Sequence, residues 1–129
     1  MLPALLTTSG SSDNSVPLRL QKVLTAIKVR RRRAVIIELD QEDTPVSLSE
    51  LVERIAADEY NKHRDKLTAQ ERKRVYIALY QVHLGKLHDV GAIAYNEDEG
   101  MIDTSNATQP LAELIREIED RCISVDAKS

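Results

Sequence analysis

Between Thr68 and Gly91 the sequence specifies one long helix with both ends marked, and a helix of that length dictates what can pack around it. Thr68 and Glu71 stand at capping-box spacing: the threonine oxygen accepts the amide proton of the third helical residue and the glutamate reaches back to the cap. Gly91 supplies the left-handed residue that ends the run. With a rise of about 1.5 Å per residue the helix spans roughly 30 Å. On a uniform wheel of about 100° per residue, Ile77, Tyr80, Leu84 and Leu87 share one face, with Tyr76 and His83 beside them, and are expected to meet the core. The opposite face carries Arg74, Ala78, Gln81, Gly85 and His88, with Val82 and Lys86 at its flank.

The rest of the chain is read by the same rules. Residues 1–17 are small and polar after the first few positions, without apolar period, and are expected to be a disordered tail. Leu20, Val23, Leu24 and Ile27 recur at helical spacing, which predicts a helix over 18–28. Arg30 to Arg33 begin a second helix through Ala34, Val35, Ile36, Ile37 and Leu39, ended by the acidic stretch Asp40 to Pro45. Ser47 and Glu50 form a further capping box, followed by the apolar stripe Leu48, Leu51, Val52, Ile55 and Ala56 of a third helix reaching about Tyr60. Asn61–Leu67 reads as a loop. Residues 92–95 and 101–104 flank a polar tip, Asn96 to Gly100, as in a β-hairpin. Thr108-Gln109-Pro110 opens a last helix, with a heptad-like seam of Leu111, Leu114, Ile115, Ile118, Cys122 and Val125.

At 129 residues the chain accommodates a single small domain. Its only aromatic residues are four tyrosines, so the core must be aliphatic, which suits helices, and four Gly with four Pro argue against an all-β chain. One Cys excludes a disulfide framework and a cysteine zinc site. His63, His83 and His88 lack metal-ligand spacing, so no metal or cofactor is expected. No nucleophile–base pair, phosphate loop or small-molecule site is recognisable, so the chain is read as a non-enzyme. No apolar run is long enough to cross a bilayer, and the opening MLPALLTTSG lacks the basic region of a signal peptide.

The order helix, helix, capped helix, long capped helix, hairpin, helix predicts an α+β, mainly helical fold: a winged helix-turn-helix over 18–104. An N-terminal helix and a C-terminal segment, 105–129, flank it. His83, Leu84, Leu87, Gly91 and Ile93 resemble the junction between recognition helix and wing in ArsR-like winged helices. Two leucines pack beneath the helix, a glycine turns the corner and an isoleucine plugs the core from the first wing strand. A closer resemblance covers residue 18 to about 104. The stretches 30–35, 47–60 and 67–84 are similar to a family of small winged-helix proteins of haloarchaea, mostly of unassigned function. That resemblance implies a cytoplasmic DNA-binding, regulator-like domain. The loop before the long helix is longer than the tight turn of a standard helix-turn-helix.

Charge sharpens the expectation. The net charge is −3, but residues 1–37 and 60–90 are basic while 38–59 and 91–129 are acidic, so the folded chain is expected to show basic and acidic faces unless the blocks pair internally. Arg72, Lys73 and Arg74 stand in the first turns of the long helix, where cations oppose the helix dipole. In a winged helix this end meets the major groove, and the expected DNA contacts are Arg72, Lys73, Arg74, Gln81, Lys86 and His88. Gln81 has the chemistry to read adenine. Arg30 to Arg33 are expected mainly to pair with neighbouring acids. The hairpin tip, with Glu97, Asp98 and Glu99, repels phosphate and is not expected to insert into a groove. The seam Leu111, Leu114, Ile115, Ile118, Cys122 and Val125 is expected to form a homodimer. Double-stranded DNA and a second copy are thus the expected partners of a transcriptional regulator. The rival reading is a protein–protein interaction module on the same fold without DNA binding.

Overall fold

Two buried aliphatic lines hold the molecule together, one on the second helix and one on the long helix. The structure, a computed structural model, describes residues 15–123. Residues 1–14 of the expected tail and Val125 of the expected seam lie outside the described residues. Its elements are α1 (Leu20–Ile27), α2 (Arg30–Gln41), β1 (Val46–Ser47), α3 (Leu48–Glu59) and a short 3-10 turn (Arg64–Lys66). The long helix follows as α4 (Ala69–Ala78), a π-helical turn (Leu79–His83) and α5 (Leu84–Asp89). The hairpin β2 (Ile93–Asn96) and β3 (Met101–Thr104) and the helix α6 (Thr108–Arg121) complete the described residues. The fold is α+β, mainly helical, with one three-stranded antiparallel sheet.

The local signals explain most of these boundaries. Thr68 Oγ1 accepts from Glu71 N at 3.1 Å while the Glu71 carboxylate accepts from Thr68 N at 3.0 Å, so the capping box at the start of α4 is complete. Ser47 caps α3 by accepting from Glu50 N at 3.1 Å. Its reciprocal half is missing, because the Glu50 carboxylate turns instead to Arg54, at 3.0 Å, and Arg64, at 2.9 Å. Gly91 at φ 87 and Gly100 at φ 65 take up the left-handed conformations that end the long helix and close the hairpin. Val16 and Leu18, ahead of α1, pack against the core.

Strand β1 lies in the approach to α3, where the sequence pattern predicts no strand. Its two residues pair with β3, Val46 opposite Ile102 and Ser47 opposite Met101, and β3 pairs in turn with β2, giving the order β1-β3-β2. The β2–β3 register sets Tyr95 opposite Ile102 and Ile93 opposite Thr104.

The long helix departs from a uniform wheel. Its buried line is Val75, Leu79, Leu84 and Leu87. The middle step is five residues, which an α-helix would swing away from the core. The π turn absorbs the extra residue: Leu84 N donates to Leu79 O, an i→i+5 bond. Consequently Ile77 and Tyr80, expected inside, lie on the surface at 39% and 43% exposure, as does Tyr76. Leu84 and Leu87 are in the core as expected.

Helix α2 is the central element. Val35, Ile36 and Leu39 are buried on it, and α6 covers them with Leu111, Ala112 and Ile115. Arg116 Nη2 reaches Asp40 at 3.0 Å across the same contact. The basic run at the start of α2 is largely engaged: Arg31 pairs with Glu59 at 2.5 Å, Arg32 is buried, and Arg33 donates to Ile27 O at 2.7 Å and faces Glu119 at 3.9 Å. The start of α6 is anchored by Thr108 Oγ1 donating to Ala92 O at 2.7 Å.

Candidate nucleic-acid interface

The long helix is held against α3 by an ion-pair network. Arg64 bridges Glu50 and Glu53, at 2.9 and 3.8 Å, and Arg54 reaches Glu50. Lys62 Nζ pairs with Glu71 at 2.8 Å beside the α4 cap. These contacts hold the Glu50 and Glu71 carboxyls below the usual carboxylate range, chiefly through the hydrogen bonds from Arg64 and Lys62. Single exposed pairs of this kind contribute little stability; as a linked set they fix how α3, the 3-10 turn and α4 lie against one another.

Arg72 belongs to that network. Its Nε donates to Glu53 Oε2 at 2.5 Å, Nη1 to Leu67 O at 2.9 Å and Nη2 to Arg64 O at 2.9 Å. All three guanidinium nitrogens are therefore used within the fold. Arg72, expected to touch DNA, acts here as a clamp, because the segment before α4 turns its carbonyls toward the first turn of the helix.

Lys73, Arg74, Gln81 and Lys86 are exposed, and none of the three cations has a hydrogen-bond or ion-pair partner among the described residues. Ile77, Gln81 and Gly85 stand at successive four-residue steps opposite the buried line; a Cβ at Gly85 would meet nothing within 4 Å. Ala78 is half-buried. His88 is exposed, but its Nδ1 accepts from Tyr95 N at 3.3 Å, tying the end of the helix to β2. The structure thus brings Lys73, Arg74, Gln81 and Lys86 onto the outward side of one helix, and sets Arg72 and His88 to internal tasks.

Sequence reasoning missed the aromatic flank of this surface. Tyr76 and Tyr80 stack with ring centroids 5.7 Å apart and planes 7° apart, each 43% exposed. Tyr95 on β2 stands close by; its hydroxyl is buried without a partner among the described residues, and burial pushes its pKa up. The signal that could have found the flank is the 4-5-3 spacing of Val75, Leu79, Leu84 and Leu87, which no uniform α-helix can keep on one side. Beyond Tyr95 the β2–β3 turn exposes Glu97, Asp98 and Glu99.

The expected dimer seam divides in two. Leu111 and Ile115 are buried inside the chain against α2, and Leu114 is half-buried beside them, because α2 needs an apolar cover. Leu111 and Ile115 are core residues rather than interface residues, while Leu114 stays partly exposed. Ile118, at 38% exposure, and Cys122 remain on the surface. Among the described residues no group of His, Cys, Asp and Glu is arranged to hold a metal ion, and no helix is long and apolar enough to cross a membrane.

No curated protein and no solved structure matches the chain significantly. A family profile does, over residues 24–103, from within α1 to the end of the hairpin, and on that match the chain belongs to the family described as a domain of unknown function, DUF7344.

Proposed function

We propose that this chain is a winged-helix protein that binds double-stranded DNA through the outward face of its long helix and acts, as a homodimer in the cytoplasm and without catalysis, in transcriptional regulation. The observation that carries the reading is the set of cations Lys73, Arg74 and Lys86, unpartnered among the described residues, on one exposed helix face beside Gln81. The surrounding architecture supports it. Helix α2, strand β1, helix α3, the long helix and the β2–β3 hairpin follow one another in winged-helix order, and β1 completes the sheet with the hairpin. Cations so placed have phosphate as their natural partner, and Gln81 has the donor–acceptor pair that matches adenine in the major groove.

The test is a duplex titration with the full chain over a salt series. Phosphate contact makes log K fall linearly with log salt. Lys73→Ala with Arg74→Ala should weaken binding across sequences and reduce the slope by about 1 for each phosphate left without its cation. No binding at low salt, or binding indifferent to that double substitution, overturns the reading.

One observation favours a protein partner instead. Tyr76 and Tyr80 stack with exposed rings on one flank of the same helix, and Ile77 is exposed beside them. Under this second reading Tyr76→Ser with Tyr80→Ser abolishes capture of a protein partner, while duplex binding is absent from the start.

A further inference from the structure

Three of the chain's four tyrosines gather where the long helix meets β2. Tyr76 and Tyr80 lie parallel within 7°, with ring centroids 5.7 Å apart, and each is 43% exposed. Neither ring belongs to the hydrophobic core, whereas Tyr60 and Tyr95 pack against it. Neither phenol hydroxyl bonds to a described residue. Tyr95 stands on β2 within electrostatic reach of both rings: burial first, then Glu97, Tyr80 and Tyr76, raise its pKa. The fold therefore has no use for the exposed faces of Tyr76 and Tyr80.

The charges around the rings are unevenly placed. Lys73 stands one turn before Tyr76 on the same side of α4, and neither it nor Arg74 has a partner among the described residues. Arg72 is taken up by Glu53 and two carbonyls, and Glu71 by Lys62 and the helix cap. His83, one turn after Tyr80, accepts from Arg32. Glu97 lies toward the other end, beyond Tyr95. Free positive charge thus adjoins the rings at the front of the helix, and negative charge at the hairpin. A paired duplex shows base edges in its grooves and keeps the base faces stacked on one another. A flat ring in water matches a face, which only an unpaired base can offer, and such stacking serves any base.

We propose that Tyr76 and Tyr80 form a stacking platform for unpaired bases, so that the chain binds single-stranded DNA, with bases against the exposed rings and the adjoining phosphates on Lys73 and Arg74, away from Glu97. This rests on the nucleic-acid reading of the same helix in the functional proposal and extends it from the duplex to an unpaired strand.

An oligothymidylate of about 12 nucleotides, within the site sizes of single-strand binders, tests the platform when titrated into the full chain over a salt series. Thymidylate cannot pair with itself, so every base is free to stack. The unaltered chain should bind it and lose tyrosine emission, which reports on the platform because the chain has four Tyr and no Trp. Tyr76→Leu with Tyr80→Leu should weaken binding by about tenfold or more and leave the salt slope unchanged, since no cation is removed. Lys73→Ala with Arg74→Ala should instead reduce the slope by about 0.7 for each phosphate left without its cation. Tyr76→Phe with Tyr80→Phe keeps the aromatic faces and should bind within about twofold of the unaltered chain. Both rings are on the surface, so every variant should retain cooperative unfolding. No binding at low salt, as a protein partner on these rings would predict, overturns the proposal. So does binding without quenching, a Leu variant as tight as the unaltered chain, or a Phe variant as weak as the Leu one. Parallel titrations with a duplex separate the two ideas: a chain that binds the duplex but not the oligomer fails only here, and a chain that binds the oligomer through its tyrosines but ignores the duplex fails only there.

Discussion

Arg32 Nε donates a 3.2 Å hydrogen bond to His83 Nδ1, tying the start of α2 to the π turn of the long helix. Arg32 is 6% exposed, its Nη1 donates to Thr25 O at 2.7 Å, and none of the described residues gives it a carboxylate. The imidazole must therefore be neutral at Nδ1, with its proton on Nε2. Burial, then the charges of Arg32 and Arg31, lower the His83 pKa.

The sign of the resulting pH dependence is fixed. In the unfolded chain His83 titrates near its ordinary value of about 6.5, and in the folded chain it titrates lower. As pH falls through about 6.5 the unfolded state takes up the proton first, so stability falls until the folded pKa is passed. The ion-paired carboxylates Glu50 and Glu71, and Asp103, which accepts from Thr44 and Thr104, are all lowered and lose their contribution only in more acidic solution. His83→Gln, which keeps an acceptor for Arg32 but cannot titrate, should flatten the decline between about pH 7 and about pH 5. Urea midpoints of both proteins at successive pH values measure it; parallel declines would show that His83 is not the group responsible.

The π turn makes a contrast between adjacent side chains. Leu79→Ala removes a fully buried side chain and should cost about 2–5 kcal/mol. Ile77→Gln, two residues earlier on the outer side, should cost less than about 1 kcal/mol. On a uniform wheel the order would be reversed, since Ile77 would be core. Chemical denaturation of the two variants decides between the geometries.

These residues show where sequence reasoning held and where it did not. Caps are local, so Thr68 with Glu71, and Gly91, marked the long helix correctly. The lone exception is Glu50, whose carboxylate is drawn off by Arg64, fourteen positions away and invisible to a four-residue motif. Periodicity placed Leu84 and Leu87 inside, but it assumes a constant turn, and one five-residue step carried Ile77 and Tyr80 to the wrong side. Strand β1 is two residues long and exists only through its pairing with β3, so no local pattern could reveal it. The cations at the front of the long helix were recognised as a group. That Arg72 differs from Lys73 and Arg74 depends on the carbonyls of Arg64 and Leu67, which tertiary structure alone brings within reach.

That difference predicts a separation of effects. Arg72→Ala leaves Glu53 and two carbonyls without their donor and should cost about 1–2 kcal/mol of stability, the guanidinium being partly screened by solvent. Lys73→Ala and Arg74→Ala should each stay within about 0.5 kcal/mol and show their effect in duplex affinity instead. Thermal or urea unfolding beside a binding titration resolves the two effects; a destabilising Arg74→Ala would mean that its side chain has a structural partner after all.

The acidic β2–β3 turn gives the last prediction. Glu97, Asp98 and Glu99 are exposed on the hairpin that adjoins the long helix through Tyr95 and His88. If the long helix lies in a major groove, this turn approaches the neighbouring phosphates, and like charges raise the free energy of the complex. Glu97→Gln, Asp98→Asn and Glu99→Gln together keep the side-chain shapes and remove the charge. The triple variant should bind duplex DNA more tightly than the unaltered chain. The gain should be largest at low salt and shrink as the screening length drops below the distance from turn to backbone. Fluorescence anisotropy with one duplex at several salt concentrations measures this directly. Equal affinities at low salt would put the turn far from the duplex and count against winged-helix docking, even with the cations of the long helix still in contact.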